Sequence, residues 1–337
     1  MKYVFNEKFE KMMEEHQLKN VVILGHMNPD GDAAGSVMGL AHYIHCVYPQ
    51  YCVFPYLAET MDKGPKELTK TDRIFDPFLI PQVSDYALIV CDSATIKRIV
   101  GAEFLEHAAV TMVIDHHAFN QGYGDINIVK ISEACAENIY HMADWDRWKR
   151  AVEGMGDPAL LRPTAADYIY LGIIHDTQTF TRTNEGVFHA ALHLLELGVD
   201  HSYIMKTMHA STFEDEKRRA SLFQMTKREY HGKVAYVILT KEKIQKYGIT
   251  YEDIHPFSSL LRDCEDIELG FTMYEELPGC WRCSFRSDGI WIDVNELMNP
   301  FEGGGHKGAA GLRKFTDDPE KLKDDIIQRV KEMRNDR

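Results

Sequence analysis

Apolar and polar positions alternate along the first half of the chain in a way that predicts short buried strands separated by helices. Val21–Leu24 is an unbroken apolar run, the pattern of a strand covered on both faces. It enters a loop rich in Gly, Pro and Asp, followed by small and apolar residues at helical spacing from about Ala33 to Cys46. Tyr51–Leu57, Ala87–Cys91 and Val110–Ile114 are further β-branched or aromatic runs of strand length. Strands alternating with helices require a parallel sheet with crossover connections. From Ile131 to about Met208 the periodicity is mostly helical. The charged stretch Glu214–Arg219 predicts a solvent-exposed connecting helix. Beyond it, Lys233–Leu239, Glu268–Tyr274 and Cys280–Arg286 read as strands, and Asp293–Met298 and Pro319–Met333 as helices. The expected division is a first domain over residues 1–210, a connecting segment over 211–230, and a smaller α/β domain over 231–337.

Composition narrows the function. The 337 residues carry 38 Lys and Arg against 52 Asp and Glu, a net charge of −14. Such a surface argues against gripping long duplex nucleic acid, which needs many phosphate-neutralising cations. It leaves room for a small phosphorylated ligand in a local basic pocket, and for bound cations among the carboxylates. No run approaches the ~18 apolar residues of a membrane span, and the N-terminus lacks a signal-type apolar segment. No membrane association is expected. Cys280 and Cys283 form a lone C-x-x-C among seven scattered cysteines. Without a second pair they read as buried thiols rather than a zinc site, and a reducing cytoplasm is the expected location.

The candidate chemistry sits where strands end. Val21–Leu24 is followed by Gly25-His26-Met27-Asn28-Pro29-Asp30-Gly31-Asp32, Ala87–Val90 by Cys91-Asp92-Ser93-Ala94, and Val110–Ile114 by Asp115-His116-His117-Ala118-Phe119-Asn120. A fourth cluster, His175-Asp176-Thr177, lies late in a predicted helix. In an open α/β sheet these carboxyl ends share one crevice. Carboxylates and imidazoles together suit Mn, Fe or Co, with Zn an alternative. The candidate donors are His26, Asp30, Asp32, Asp92, Asp115, His116, His117 and Asp176. Singly, each has a plainer reading: Asp32 is a candidate N-cap for the Ala33 helix, and Asp115 can merely orient a neighbouring histidine. Four such clusters at four element ends favour the metal reading.

The ordered set H-x-N-P-D-G-D-A-x-G-S, C-D-S-A, D-H-H-x-x-N and D-T-x-x-F resembles the DHH phosphoesterase family. Cys283-Ser284-Phe285-Arg286-Ser287 and Phe301-Glu302-Gly303-Gly304-Gly305-His306-Lys307-Gly308-Ala309-Ala310-Gly311 resemble that family's DHHA-type C-terminal domain. The resemblance runs from about Val21 to Gly311. It implies an α/β fold: an N-terminal parallel-sheet DHH domain plus a smaller C-terminal α/β domain, with the active site in the cleft between them. Within the family, the layout is similar to nano-RNases and pAp phosphatases. These release 5′ mononucleotides from very short oligonucleotides and dephosphorylate 3′-phosphoadenosine 5′-phosphate (pAp). The alternative is a cyclic di-AMP or linear pApA phosphodiesterase with the same metal centre.

The resemblance also implies roles. Two divalent ions, usually Mn²⁺, would be held by His26, Asp30 and Asp92, and by Asp32, Asp92, His116 and Asp176, with Asp92 bridging. His117 would act as general acid or phosphate contact, and Asp115 would support the histidines. Arg262, Ser284, Arg286, Gly303, Gly304, Gly305 and His306 are expected to bind substrate, the glycines through inward-pointing amides. Glu302 departs from the family's glycine run. Expected partners are short RNA or DNA oligonucleotides of about two to five residues, since no long basic stripe is present. Family members often dimerise, so a homodimer is left open. Phe119 could stack a base or pack, with packing favoured; Asn120 and Thr177 are expected to hydrogen-bond loops around the site, and Asp144–Arg150 to form a surface or interface helix. Trp281 and Trp291 are expected in the core.

Overall fold

All four apolar runs predicted in the first half form strands of one sheet. The computed structural model describes residues 3–156 and 162–335, and the chain divides into two units, Met1–Ala210 and Ser211–Arg337. The first contains α1 (Val4–Glu15), β1 (Asn20–Leu24), α2 (Gly31–Val47), β2 (Cys52–Tyr56), α3 (Lys63–Thr69), β3 (Tyr86–Cys91) and α4 (Phe104–His107). It continues with β4 (Val110–Asp115), β5 (Ile126–Val129), α5 (Cys135–Met142), α6 (Trp145–Gly154), α7 (Ala165–Asp176), α8 (Glu185–Glu196) and α9 (His201–Met208). The strand order is β2-β1-β3-β4-β5 and every pairing is parallel. β1 and β3 are neighbours, so the winding reverses between them, and a crevice opens at their carboxyl ends. β5 was not expected: it is a four-residue edge strand with only one buried residue, too short to announce itself.

Two local readings are corrected. The N-cap of α2 is Asp30, not Asp32: Asp30 Oδ1 accepts from the Asp32 and Ala33 amides at 3.0 Å each. The helix thus begins at Gly31, which frees the fully buried Asp32 side chain to act inside the fold. The Asp144–Arg150 segment is not a surface helix throughout. Trp145 and Trp148, three residues apart on α6, are both buried and meet edge to face at 5.4 Å.

α2 is buried at every position but His45. It lies so close to α7 that a Cβ on Gly35 would sit 2.4 Å from the Tyr168 carbonyl oxygen. Gly172 on α7 meets α5 as tightly, since its Cβ would fall 2.5 Å from the Ala136 Cβ. Asp32 ties the third side of this triangle. Its Oδ2 accepts from the Cys135 amide at 2.6 Å and its Oδ1 from the Ala136 amide at 2.9 Å. The N-cap of α5 is Ala134, which has no side-chain acceptor, so the carboxylate on α2 caps α5 from a distance.

The second unit contains α10 (Phe213–Met225), β6 (Lys227–Glu229), β7 (Val234–Leu239), α11 (Lys241–Tyr247), α12 (Tyr251–Ile254) and α13 (Phe257–Arg262). Then follow β8 (Leu269–Leu277), β9 (Cys280–Ser287), α14 (Val294–Met298), β10 (Gly304–His306), β11 (Ala309–Phe315) and α15 (Pro319–Asn335). Its sheet is mixed, in the order β10-β11-β9-β8-β7-β6, with only β7 and β8 parallel among neighbours. The charged Glu214–Arg219 stretch lies on α10, where Arg218 Nε donates to Asp253 Oδ2 at 2.7 Å. Alternation along β9 buries Cys283 and Phe285 in one core and turns Ser284 and Arg286 to the other face. Cys280, Cys283 and Trp281 are buried, whereas Trp291 is only half-buried, with Arg334 stacked 4.7 Å over its ring.

Candidate metal centre

The carboxyl ends of β1, β3 and β4 and the end of α7 converge, as their chemistry suggested. Asp92 follows β3 in a left-handed backbone conformation, φ +54°, with its amide donating to the Ile114 carbonyl at 3.0 Å. That turn sends its carboxylate between two imidazoles. His26 Nε2 stands 3.5 Å from Asp92 Oδ2 and 3.8 Å from Asp30 Oδ1. His116 Nε2 stands 3.3 Å from Asp92 Oδ1, 3.7 Å from Asp176 Oδ2 and 3.9 Å from Asp32 Oδ2.

Both imidazoles are oriented from behind. The Nδ1 atoms of His26 and His116 face the Met27 carbonyl at 2.8 Å and the Ser132 carbonyl at 3.1 Å. A proton on Nδ1 satisfies each carbonyl and leaves Nε2 as a lone pair aimed into the cluster, the arrangement found behind metal-ligating histidines. Most of the separations inside the cluster exceed hydrogen-bond length. Asp92 Oδ1 is buried and lacks a hydrogen-bond partner, an arrangement that costs free energy unless a cation completes it. The donor sets His26/Asp30/Asp92 and Asp32/His116/Asp176 each gather ligand atoms within 4.8 Å. The residues present therefore fit divalent ions.

Electrostatics agree. Burial opposes charge on Asp32, and Asp92 and Asp176 add repulsion, so its carboxyl rises well above the ordinary range. Asp176 is raised by burial and by Asp30 and Asp92, against the pull of His175. Burial also works against charge on His26 and His116, yet their carboxylate neighbours lift both to about 10. Without a cation, the site holds its acids together only by protonating its bases, and a cation replaces those protons.

Asp115 is fully buried and organises the D-H-H turn. Its Oδ1 accepts from the His116 amide and from His117 Nδ1, each at 2.8 Å, and its Oδ2 from Asn120 Nδ2 at 2.7 Å. His117 is thereby held with Nε2 facing outward, its side chain 37% exposed. Thr177 Oγ1 donates to the Ile173 carbonyl at 2.7 Å and accepts from the Phe180 amide. Phe119 does not pack: it is 79% exposed, because it sits at the tip of a turn rather than over the core.

Three participants were not among the sequence candidates. His175 lies in a donor group with Asp30 and Asp176, its Nδ1 3.3 Å from Asp176 Oδ1. Its ring rests where only Gly31 allows it, since a Cβ there would fall 2.5 Å from the imidazole. Adjacency to Asp176 in H-D-T was the available signal. Asn138, whose Nδ2 donates to the Asp115 and Lys130 carbonyls, and the Ser132 carbonyl carried no sequence signal at all.

In the second unit, β10 and β11 form a hairpin. The glycine amides are not all free for a phosphate: Gly303 N–H donates to the Met298 carbonyl at 3.2 Å and Gly305 N–H to Asn295 Oδ1 at 2.9 Å. The glycines are needed for space instead, as a Gly305 Cβ would fall 2.3 Å from the Ala309 carbonyl oxygen. Gly304 and His306 are exposed. Gly270 on β8, in register with Arg286, lets the end of α13 approach to 2.8 Å of where its Cβ would be. Arg262 is brought near Arg286 in this way. Burial and that neighbouring cation hold the Arg286 guanidinium below its ordinary value. Arg262 pairs with Asp263 at 2.8 Å, while Arg286 donates to its own strand at the Phe285 carbonyl.

Known proteins are similar to this chain. Residues 20–173 match the DHH family, N-terminal domain. The chain is 27% identical over 317 residues to the bifunctional oligoribonuclease and PAP phosphatase NrnA of Bacillus subtilis, covering 93% of this chain and 95% of that protein. It is 26% identical over 301 residues to a probable bifunctional oligoribonuclease and PAP phosphatase NrnA of Streptococcus mutans, covering 88% and 90%. In fold it is similar to the crystal structure of an exopolyphosphatase-related protein from Bacteroides fragilis, with a TM-score of 0.79 at 22% identity over 98% and 96% of the two chains.

Proposed function

We propose, from a first unit that is a DHH-family domain, that this chain is a metal-dependent phosphoesterase acting on short oligonucleotides and on pAp. The observation that carries the reading is the buried, unpartnered Asp92 Oδ1, flanked by two imidazoles whose Nδ1 atoms are already engaged. The similarity to oligoribonuclease and PAP phosphatase proteins along nearly the whole chain supports the substrate class.

In this reading His26, Asp30 and Asp92 hold one divalent ion and Asp32, Asp92, His116 and Asp176 the other, with Mn²⁺ the expected metal. When bound, such ions neutralise the phosphate and acidify the attacking water. The chain's own groups do the rest. His117 is presented by Asp115 with Nε2 outward, where it would serve as the general acid. Water adds to phosphorus and sheds a proton to solvent, the P–O3′ bond breaks, and His117 delivers a proton to the leaving 3′ oxygen and regains one from solvent. Within the second unit, Arg286 and Arg262 form a cationic pair suited to a phosphate, with Ser284 on the same face of β9 and Gly303, Gly304, Gly305 and His306 in and just before the β10–β11 hairpin. The protein is expected to work in the cytoplasm.

The test is nucleotide and phosphate release with Mn²⁺ from pAp, pApA, a pentanucleotide, a long RNA and cyclic di-AMP, with Asp92→Ala alongside. Rapid turnover of the short linear substrates, lost in Asp92→Ala, is expected. Preference for the cyclic substrate would move the substrate assignment and keep the chemistry. Failure to hydrolyse any of them would overturn the reading.

A further inference from the structure

Phe119 exposes 79% of its surface in the segment that carries His116 and His117, and among the described residues its ring stacks on no other aromatic side chain. Its position is nonetheless fixed. The Asn120 amide donates to the His117 carbonyl at 3.2 Å, so Ala118 and Phe119 are the two central residues of a tight turn. Asn120 anchors that turn from inside, donating to Asp115 Oδ2 at 2.7 Å and to the Ser93 carbonyl at 3.2 Å, while its Oδ1 accepts from the Gly122 amide. The buried carboxylate that orients His117 therefore also pins the turn that presents Phe119. Ile131, 74% exposed, directly precedes Ser132, whose carbonyl faces His116 Nδ1.

An apolar ring carried on this anchored turn, two residues after His117 and open to water, can serve as a stacking platform. A chain of net charge −14 holds an anionic nucleotide against long-range repulsion, and stacking on an aromatic face attracts any base without regard to charge. We propose that Phe119 stacks against a nucleobase flanking the scissile phosphate and is a specificity-determining residue for nucleotide over base-free phosphoesters. This rests on the function proposed above. It predicts sequence tolerance, because every base offers a face, and selection against phosphoesters that lack one.

The test is a double-mutant cycle on the full-length, metal-loaded protein. A dinucleotide RNA and its two singly abasic analogues are hydrolysed by wild type, Phe119→Ala and Phe119→Trp. Removing a stacked base by alanine substitution is expected to lower kcat/KM by about tenfold or more, mainly through KM. Phe119→Ala should then be no worse than wild type on the analogue lacking the stacked base, and Phe119→Trp should restore the intact substrate. Equal losses on intact and abasic substrates would overturn the proposal, because the change would have acted through the loop. No loss on the intact dinucleotide would overturn it equally. Fluorescence of a 2-aminopurine dinucleotide, titrated with each protein with Ca²⁺ in place of Mn²⁺, separates the two readings. If wild type hydrolyses nothing, the function fails by itself. Quenching by wild type and Phe119→Trp but not by Phe119→Ala would still support stacking, and equal quenching by all three would refute it.

Discussion

Gly35→Ala puts the helix contact behind the site to a quantitative test. Two effects oppose each other. On propensity alone, Gly to Ala inside a helix stabilises by about 1 kcal/mol. Against this, the new Cβ would lie 2.4 Å from the Tyr168 carbonyl oxygen and 2.7 Å from the Gly172 nitrogen, where tolerable contacts begin at 3.0–3.4 Å. The obstacles are backbone atoms, so α2 and α7 must part by 0.6–1.0 Å, the difference between those distances. Overpacking of this kind costs about 1–3 kcal/mol, and rigid backbone places it at the upper end. The expected net loss is about 1–2 kcal/mol, or roughly 2–8 °C in Tm for a unit of this size. The same opening displaces Asp176 on α7 from Asp32 on α2, and a misplacement of ~1 Å can cost about a hundredfold in rate. Thermal melts, bound-metal analysis and kcat would be measured together. Gly154→Ala is the control: no atom lies within 4 Å of its Cβ, so it should be neutral or slightly stabilising. A Gly35→Ala protein that melts at or above wild type with unchanged kcat would refute the packing argument.

Other outcomes are as definite. His117→Gln should lower kcat by about 10²–10⁴ while bound metal stays unchanged; a parallel loss of metal would make it a ligand instead. Stripping divalent ions should lower Tm, and restoring Mn²⁺ to about 100 times its Kd should return ~2.7 kcal/mol per site, read by melts across a metal titration. Away from the site, burial works against charge on Asp72, but His42 Nε2 at 2.6 Å and the Tyr168 hydroxyl at 2.7 Å help hold its carboxyl below the usual range. A depressed carboxyl stabilises the fold above its unfolded value near pH 3.9, and that contribution fades as pH falls through the lower folded value. Asp72→Asn should therefore be less stable at pH 7, with the gap to wild type narrowing below pH 4 in urea melts. A constant gap would contradict this.

The strands and the donors at their ends were legible because burial on both faces leaves unbroken apolar runs, and because metal chemistry restricts side-chain type. What stayed hidden was contributed by backbone. The carbonyls that turn His26 and His116 belong to Met27 and Ser132, whose side chains say nothing about it. The start of α2 was expected two residues too late, since Asp30 and Asp32 are chemically alike and only the helix register separates them. The glycine run of the second unit was read as a phosphate loop with free amides. Its amides, however, are mostly spent on Met298 and Asn295, a use that residue types alone do not disclose. The Asp144–Arg150 helix was read as a surface or an interface because its charges dominate the segment, though a spacing of three turns both Trp145 and Trp148 inward.

The carboxylate of Asp32 serves two masters, and this bears on how inactive forms of the protein should be made. It faces the candidate metal centre, and it is also the acceptor for the first amides of α5, more than a hundred residues downstream. Replacing it would leave that helix start buried and unsatisfied, so an Asp32 variant would vanish from the cell by misfolding as readily as by losing chemistry. An inactive control that keeps its shape is better built at His117, whose outward nitrogen no other element of the fold depends on, and lesions at Asp32 would register as missing protein rather than silent enzyme.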